Sequence, residues 1–172
     1  MPVSSPIQAQ PLPRHALLQR YAGDGGYADC FVTEVPIPVS HAEFVTAFYS
    51  SWLFKLERLV LTTLVFKPSS DQQAAQLARG ERAAFAAWTV EARAPDELLV
   101  CDYQGKTRSW LMIEKIDGGT RLYFGTGIVP VTDRHTGQRR LSAGFRALLP
   151  FHRRYARALL NAARARLTSR AA

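Results

Sequence analysis

Beyond Asp133 the chain has no aspartate or glutamate, yet ten of its arginines lie there. The whole chain holds 22 Lys and Arg against 14 Asp and Glu, so residues 1–133 carry 12 minus 14, or −2. The formal charge of +8 therefore belongs to the last segment alone. A nucleic-acid reader would pair such a surface with interleaved aromatics or a reading motif. No RNP-type, finger or helix-turn-helix signature is present, so no specific nucleic-acid partner is expected. The arginines read as the solvated face of an amphipathic helix. No run approaches the roughly 18 apolar residues of a membrane span, which excludes a spanning helix as an expectation. There are two cysteines, Cys30 and Cys101, neither in a metal-ligand spacing with a histidine. The start lacks a basic stretch followed by an apolar run, so it does not read as a secretory signal. A cytoplasmic protein with two free thiols is the expectation. No phosphate-binding loop occurs. The "GTG" of "YFGTGIVP" is not followed by a helix start and reads as close packing within a strand. Neither metal nor cofactor is expected.

What is present is ordinary globular composition, 47% hydrophobic over 172 residues, enough for one domain with its own core. Four prolines in "MPVSSPIQAQPLP" suggest a flexible leader over residues 1–20, followed by a single domain over 21–172. "YADCFVTEV" is strand-like and is ended by Pro36 and Pro38. Ser40 and Glu43 have capping-box spacing ahead of Phe44, Val45 and Phe48. Trp52, Leu53, Leu56, Leu59, Val60 and Leu64 then mark the apolar face of a second helix. A third, short helix is expected between Pro68 and Gly80.

The period then changes. "FAAWTVEAR", "ELLVCDYQ", "TRSWLMIEKI" and "TRLYFGTGIVPV" read as four strands joined by tight turns, hence an antiparallel meander. The third is apolar on both faces, so it is covered on both sides or lines a cavity. "LSAGFRALLPFHRRYARALLNAARARL" closes the chain as helix, with Phe145, Leu148, Leu149, Tyr155, Leu159, Leu160 and Ala163 on one stripe. Arginines 146, 153, 157 and 164 occupy another. Pro150 either bends one long helix or opens a second one at its first turn. The fold class is α+β: a curved antiparallel sheet wrapped around a long C-terminal helix, with short helices after the first strand.

This layout resembles the helix-grip superfamily of START-like, birch-pollen-allergen-like domains, also called SRPBCC. More narrowly it resembles the bacterial family labelled domain of unknown function 2867. The resemblance is carried by "YADCF", "FVTAFYSSWLFKLERLVL" and "LLPFHRRYARALL", and it covers roughly Tyr21 to Leu167. It implies a fold with a cavity between sheet and C-terminal helix, and no particular chemistry.

The expected function is binding of an apolar or amphipathic small molecule, lipid-like or aromatic, in that cavity. Trp88, Tyr103, Trp110, Met112, Phe124, Pro150, His152 and Tyr155 are the candidate contacts. The alternatives are an enzyme of polyketide-cyclase or hydrolase type using the same cavity, or an interaction protein working through its arginine face. His152 and Asp102 are the weak catalytic candidates, the histidine because it alone should approach the interior. No partner for it is visible in sequence, so the balance leans against an enzyme. His15, His41 and His135 read as surface residues.

Overall fold

The computed structural model describes residues 5–169, without the side chains of residues 60–65. Its main sheet is antiparallel and is built mostly from the expected meander. The strands are β1 (Gln8–Ala9), β2 (Tyr27–Ala28), β3 (Phe31–Val35), β4 (Ala84–Phe85), β5 (Trp88–Ala94), β6 (Glu97–Asp102), β7 (Thr107–Ile116) and β8 (Gly119–Ile128). They lie in the order β1-β3-β8-β7-β6-β5-β4, with β2 continuing the β3 register along β8. Between β3 and β4 run α1 (His41–Tyr49), α2 (Trp52–Val65) and α3 (Asp71–Ala78). After β8 a separate two-stranded ribbon, β9 (Val131–Thr132) with β10 (Arg139–Arg140), leads into α4 (Ala143–Thr168). One strand and its helices, then a meander, then a long helix laid on the sheet is the helix-grip arrangement.

Local chemistry explains the helix starts. Ser40 accepts the Glu43 amide while Glu43 caps the Ser40 amide, and Ser70 and Gln73 repeat the device at α3. Ser142 caps α4 through the Phe145 amide. Pro150 is the eighth residue of α4, and the helix runs on through it for 26 residues in all. It is therefore neither a break nor a first-turn proline.

Strand alternation sorts the sheet into two buried faces. Leu111, Ile113, Leu122, Phe124, Leu98 and Val100 point inward and join Phe44, Phe48, Leu159 and Leu160 in the main core. Trp110, Met112, Tyr123, Leu99, Cys30 and Val32 point the other way. A bulge between Val90 and Ala92 switches faces within β5, so Trp88 and Val90 pack inward and Ala92 outward.

The outer face is covered by the segment expected to be a flexible leader, and that expectation is corrected. β1 pairs with β3, and a 3₁₀ turn over Leu17–Tyr21 lies across β6, β7 and β8. Leu18 is fully buried there. Its methyl groups occupy the space left by Gly125 and Gly127, where a β-carbon would approach them within 2.8 Å. The "GTG" stretch is thus close packing, as read. The turn is pinned by Glu97, a buried carboxylate that accepts the Leu17 amide at 2.8 Å and the Trp110 indole N–H at 2.7 Å.

Three further expectations are corrected. Of the expected apolar face of α2, Leu53 packs on the main core while Trp52, Leu56 and Leu59 are exposed, and the buried residues are Phe54 and Arg58. Val60 and Leu64 lie outside the described side chains. The helix is turned this way because Arg58 reaches Asp71 at 2.6 Å and the Ser69 carbonyl at 2.7 Å, tying α2 to the start of α3. His41 is buried rather than superficial, with Nε2 3.2 Å from the Leu111 carbonyl. On α4 the expected stripe is buried only in its second half. Leu159, Leu160 and Ala163 are enclosed while Leu148 is exposed.

Truncating Leu18 to alanine should cost about 3 kcal/mol in urea unfolding, the usual penalty for a buried leucine. A loss below about 1 kcal/mol would mean that the N-terminal segment contributes little to the fold. His41 supplies a pH test. Desolvation depresses its pKa below the ordinary 6.5, against the opposing hydrogen bond to Leu111. The unfolded chain therefore takes up the proton first, and stability present above about pH 6.5 is lost as pH falls toward the lower folded value. His41→Gln should flatten the stability profile across that window.

Candidate functional site

A cavity of about 180 Å³ lies between the inner face of the sheet and α4. Its apolar wall is Phe48 of α1, Phe54 of α2, Trp88 of β5, Phe124 of β8, and Ala156 and Leu159 of α4. Polar side chains interrupt that wall at Glu57, Thr107, Ser109, Thr126, His152 and Tyr155. Arg108 borders the cavity, but its guanidinium is engaged on the outer face by Glu91 and Tyr21. Three polar residues at inward strand positions, Thr107, Ser109 and Thr126, replace what would otherwise be core hydrophobics. Strand alternation puts them there, since Leu111 and Phe124 have the same parity.

Two titratable arrangements meet this cavity. In the first, Asp29 lies at the junction of β2 and β3 with a side chain 7% exposed. Its Oδ1 accepts the Thr126 amide at 2.8 Å, and its Oδ2 accepts the Tyr27 hydroxyl at 2.8 Å. His152 Nε2 stands 3.3 Å from the same Oδ2. The approach has ion-pair length, but it is not directed as an N–H···O hydrogen bond, and Nε2 has no other partner among the described residues. Tyr27 and Phe145 box the imidazole, with ring centroids 6.0 and 5.6 Å away. Burial, then the charge of Asp29, push the Tyr27 phenol well above its ordinary range, so it stays a donor.

In the second, Glu57 accepts the Tyr155 hydroxyl at 2.6 Å. Burial raises the Glu57 pKa, and the tyrosine hydrogen bond partly offsets the rise. Tyr155 is itself shifted up by burial and by Glu57. A third polar feature is the Trp88 indole N–H, buried and without a hydrogen-bond partner among the described residues. Buried donors are nearly always satisfied, so this one is an exception among the described residues.

Of the residues singled out in the sequence, Trp88, Phe124, His152 and Tyr155 line the cavity. The rest do not, and these are corrections. Trp110 and Met112 belong to the outer core, because they occupy the opposite parity of β7. Tyr103 is exposed in the turn after β6, and Pro150 is exposed on α4. Asp102 ends β6, and its Oδ1 accepts the Lys106 and Thr107 amides of the following turn at 2.7 and 2.9 Å. Sequence reasoning missed Asp29 and Glu57. The available signal for Asp29 was a carboxylate in the middle of an aromatic, strand-forming stretch. That stretch, "YADCF", and "PFHRR" supply Tyr27, Asp29 and His152 to one place from opposite ends of the chain. Among the described residues no group of three or more potential ligands could hold a metal ion. The two cysteines are free, and burial followed by the Asp29 charge pushes the Cys30 thiol up to about 12.

No family model and no curated protein matches the chain. Two solved structures share its broad course. Protein Ms6760 from Mycobacterium smegmatis is 12% identical, over 83% of this chain and 91% of that one, with a TM-score of 0.41. Ara h 8.0201 is 10% identical, over 84% of this chain and 99% of that one, with a TM-score of 0.40. Nothing about ligand or chemistry follows from likeness at this level.

Glu57 is held in a setting that disfavours its charge, so its folded pKa exceeds its unfolded one. Stability from this group is fully present below the unfolded value and is lost as pH rises through the higher folded one. Glu57→Gln keeps an acceptor for Tyr155 and should stabilise the protein at neutral pH. Thermal unfolding at pH 7 and pH 4 checks this, with the gain expected at pH 7 alone.

Proposed function

We propose that the chain is a binding domain for a small, mostly apolar molecule held between the sheet and α4. The observation that carries this is the cavity itself, walled by Phe48, Phe54, Trp88, Phe124 and Leu159 with Glu57, His152 and Tyr155 as its few polar side chains. An apolar wall with few placed polar groups is the usual make-up of a small-molecule site. Volume narrows the ligand. Engineered apolar cavities of about 150 Å³ take benzene, while drug-sized sites run from about 300 Å³ upward. At about 180 Å³ the site suits a one-ring aromatic molecule, or the head of a longer one, better than a whole lipid. Burial of the ring supplies about 25 cal/mol per Å² before the costs of association.

The narrower resemblance, to the family labelled domain of unknown function 2867, is part of this proposal and rests on the quoted sequence stretches alone. Arg146, Arg153, Arg154 and Arg157 of α4 stay a solvated face in this reading, with salt-sensitive, nonspecific contact to polyanions at most, while Arg164 is half-buried and donates to the Ser5 carbonyl at 2.7 Å. No described helix is long and apolar enough to cross a membrane.

Native mass spectrometry of freshly purified protein, followed by extraction, should show a bound species of small mass. Ala156 is fully enclosed at the cavity wall, so Ala156→Leu should fill the space and abolish retention. Its stability should stay within about 1 kcal/mol of the parent, because the added volume enters a void. A bare mass, together with no binding of one-ring aromatic probes, would overturn the reading.

A further inference from the structure

We infer that the cavity selects a cationic ligand, a one-ring molecule bearing an ammonium group, with the Glu57 carboxylate as the group that pairs with it. The inference rests on the reading of the cavity as a ligand site and names the class of molecule that fits it.

Among the described residues Glu57 is the one acid that lines the cavity. Its Oε2 accepts the Tyr155 hydroxyl at 2.6 Å, and Tyr155 lines the cavity too, so this pair lies in the cavity wall. Oε1 has no hydrogen-bond partner among the described residues. Unlike the Tyr49 hydroxyl and the Trp88 nitrogen it is not sealed off, so it stays open to a donor. No ion pair reaches Glu57 among the described residues, because each nearby cation answers another acid. On the same helix Lys55 and Arg58 turn to Asp71, at 2.7 and 2.6 Å. At the border of the cavity Arg108 is held by Glu91 at 2.5 Å, and His152 stands 3.3 Å from Asp29.

A carboxylate taken out of water without a counter-charge is costly, because its lost hydration is not replaced. The raised pKa of Glu57 has that origin, with burial outweighing the tyrosine hydrogen bond. An ammonium at Oε1 supplies the missing charge, favours the ionised carboxylate and adds a charge-assisted hydrogen bond. The Tyr155 oxygen beside it keeps a lone pair for a second ammonium proton. Phe48, Phe54, Trp88 and Phe124 line the same space and suit the ring. The overall charge works the other way. At +8 the chain repels cations at long range, so a preference for an amine has to come from a local site.

The test titrates the full chain at neutral pH with three one-ring probes of similar size, followed by calorimetry. They are 2-phenylethylamine, the neutral 2-phenylethanol and the anionic 3-phenylpropionate. The wild-type protein should bind the amine about 10-fold or more tighter than the alcohol, the usual worth of a hydrogen bond to a charged group. The acid should bind most weakly. Glu57→Gln keeps the shape of the side chain and the acceptor for Tyr155. It should bring the amine down to the affinity of the alcohol while the Kd of the alcohol stays close to its wild-type value. A variant that merely folded badly would weaken both. Ala156→Leu, which fills the cavity, should abolish binding of amine and alcohol alike. Equal affinity for amine and alcohol, or tightest binding of the acid, would overturn the inference and spare the ligand site. An amine preference that survives Glu57→Gln would overturn the role of the carboxylate, and one that survives Ala156→Leu would put the amine outside the cavity and overturn the inference. Failure of all three probes to bind would overturn the inference and, with a bare mass in native spectrometry, the ligand site as well.

Discussion

Strands β7 and β8 are apolar on both faces, and an antiparallel sheet of that kind cannot leave either face in water. The rest of the architecture answers this constraint. Inside, α1 and the second half of α4 bury Leu111, Ile113, Leu122 and Phe124. Outside, the N-terminal segment closes over Trp110, Met112 and Tyr123, with Leu18 seated on the two glycines of β8. Were the outer face left open, Trp110 would lose its packing and Glu97, which accepts its indole N–H, would lose the Leu17 amide. The protein is therefore a three-layer object at its centre, with the sheet in the middle.

Buried carboxylates act as the seams between these layers. Glu97 joins the outer segment to β7, and Asp29 joins β2, β8 and α4. Removing a carboxylate from water costs on the order of several kcal/mol unless hydrogen bonds replace the lost hydration. Glu97 has two good donors, and Asp29 has two with an imidazole beside them. Asp29 thus combines a structural task with a functional position. It accepts the Thr126 amide of β8 between the β2 and β3 pairings, and it stands beside His152, which lines the cavity.

The helix α4 divides its labour along its length. Its second half, from Ala156 to Leu167, is a packing element with enclosed alanines and leucines. Its first half carries exposed Leu148 and Phe151, the latter stacked on Tyr155 at 6.0 Å, and presents His152 and Tyr155 to the cavity. The proline falls in this first half. It removes one amide donor where the helix is exposed and water can serve the freed carbonyl, so it is tolerated without a break.

Periodicity and turn chemistry in the sequence were sufficient for the class, the element order, the antiparallel meander and the capping of α1, since these depend on neighbours a few residues apart. Four of the cavity residues, Trp88, Phe124, His152 and Tyr155, were also legible from the chain. The misplacement of Trp110 and Met112 shows the limit of that reading. Alternation divides β7 into two faces, but which face meets α4 depends on what covers the other one. The proline-rich start concealed that cover, because its hold on the sheet comes from pairing with β3 and from Glu97, about 80 residues away. The rotation of α2 was likewise decided by Arg58 and its reach to Asp71. The meeting of Asp29 with His152 lies furthest from local rules. Those residues are separated by most of the chain, and only the closing of α4 over the β2–β8 edge brings carboxylate and imidazole together.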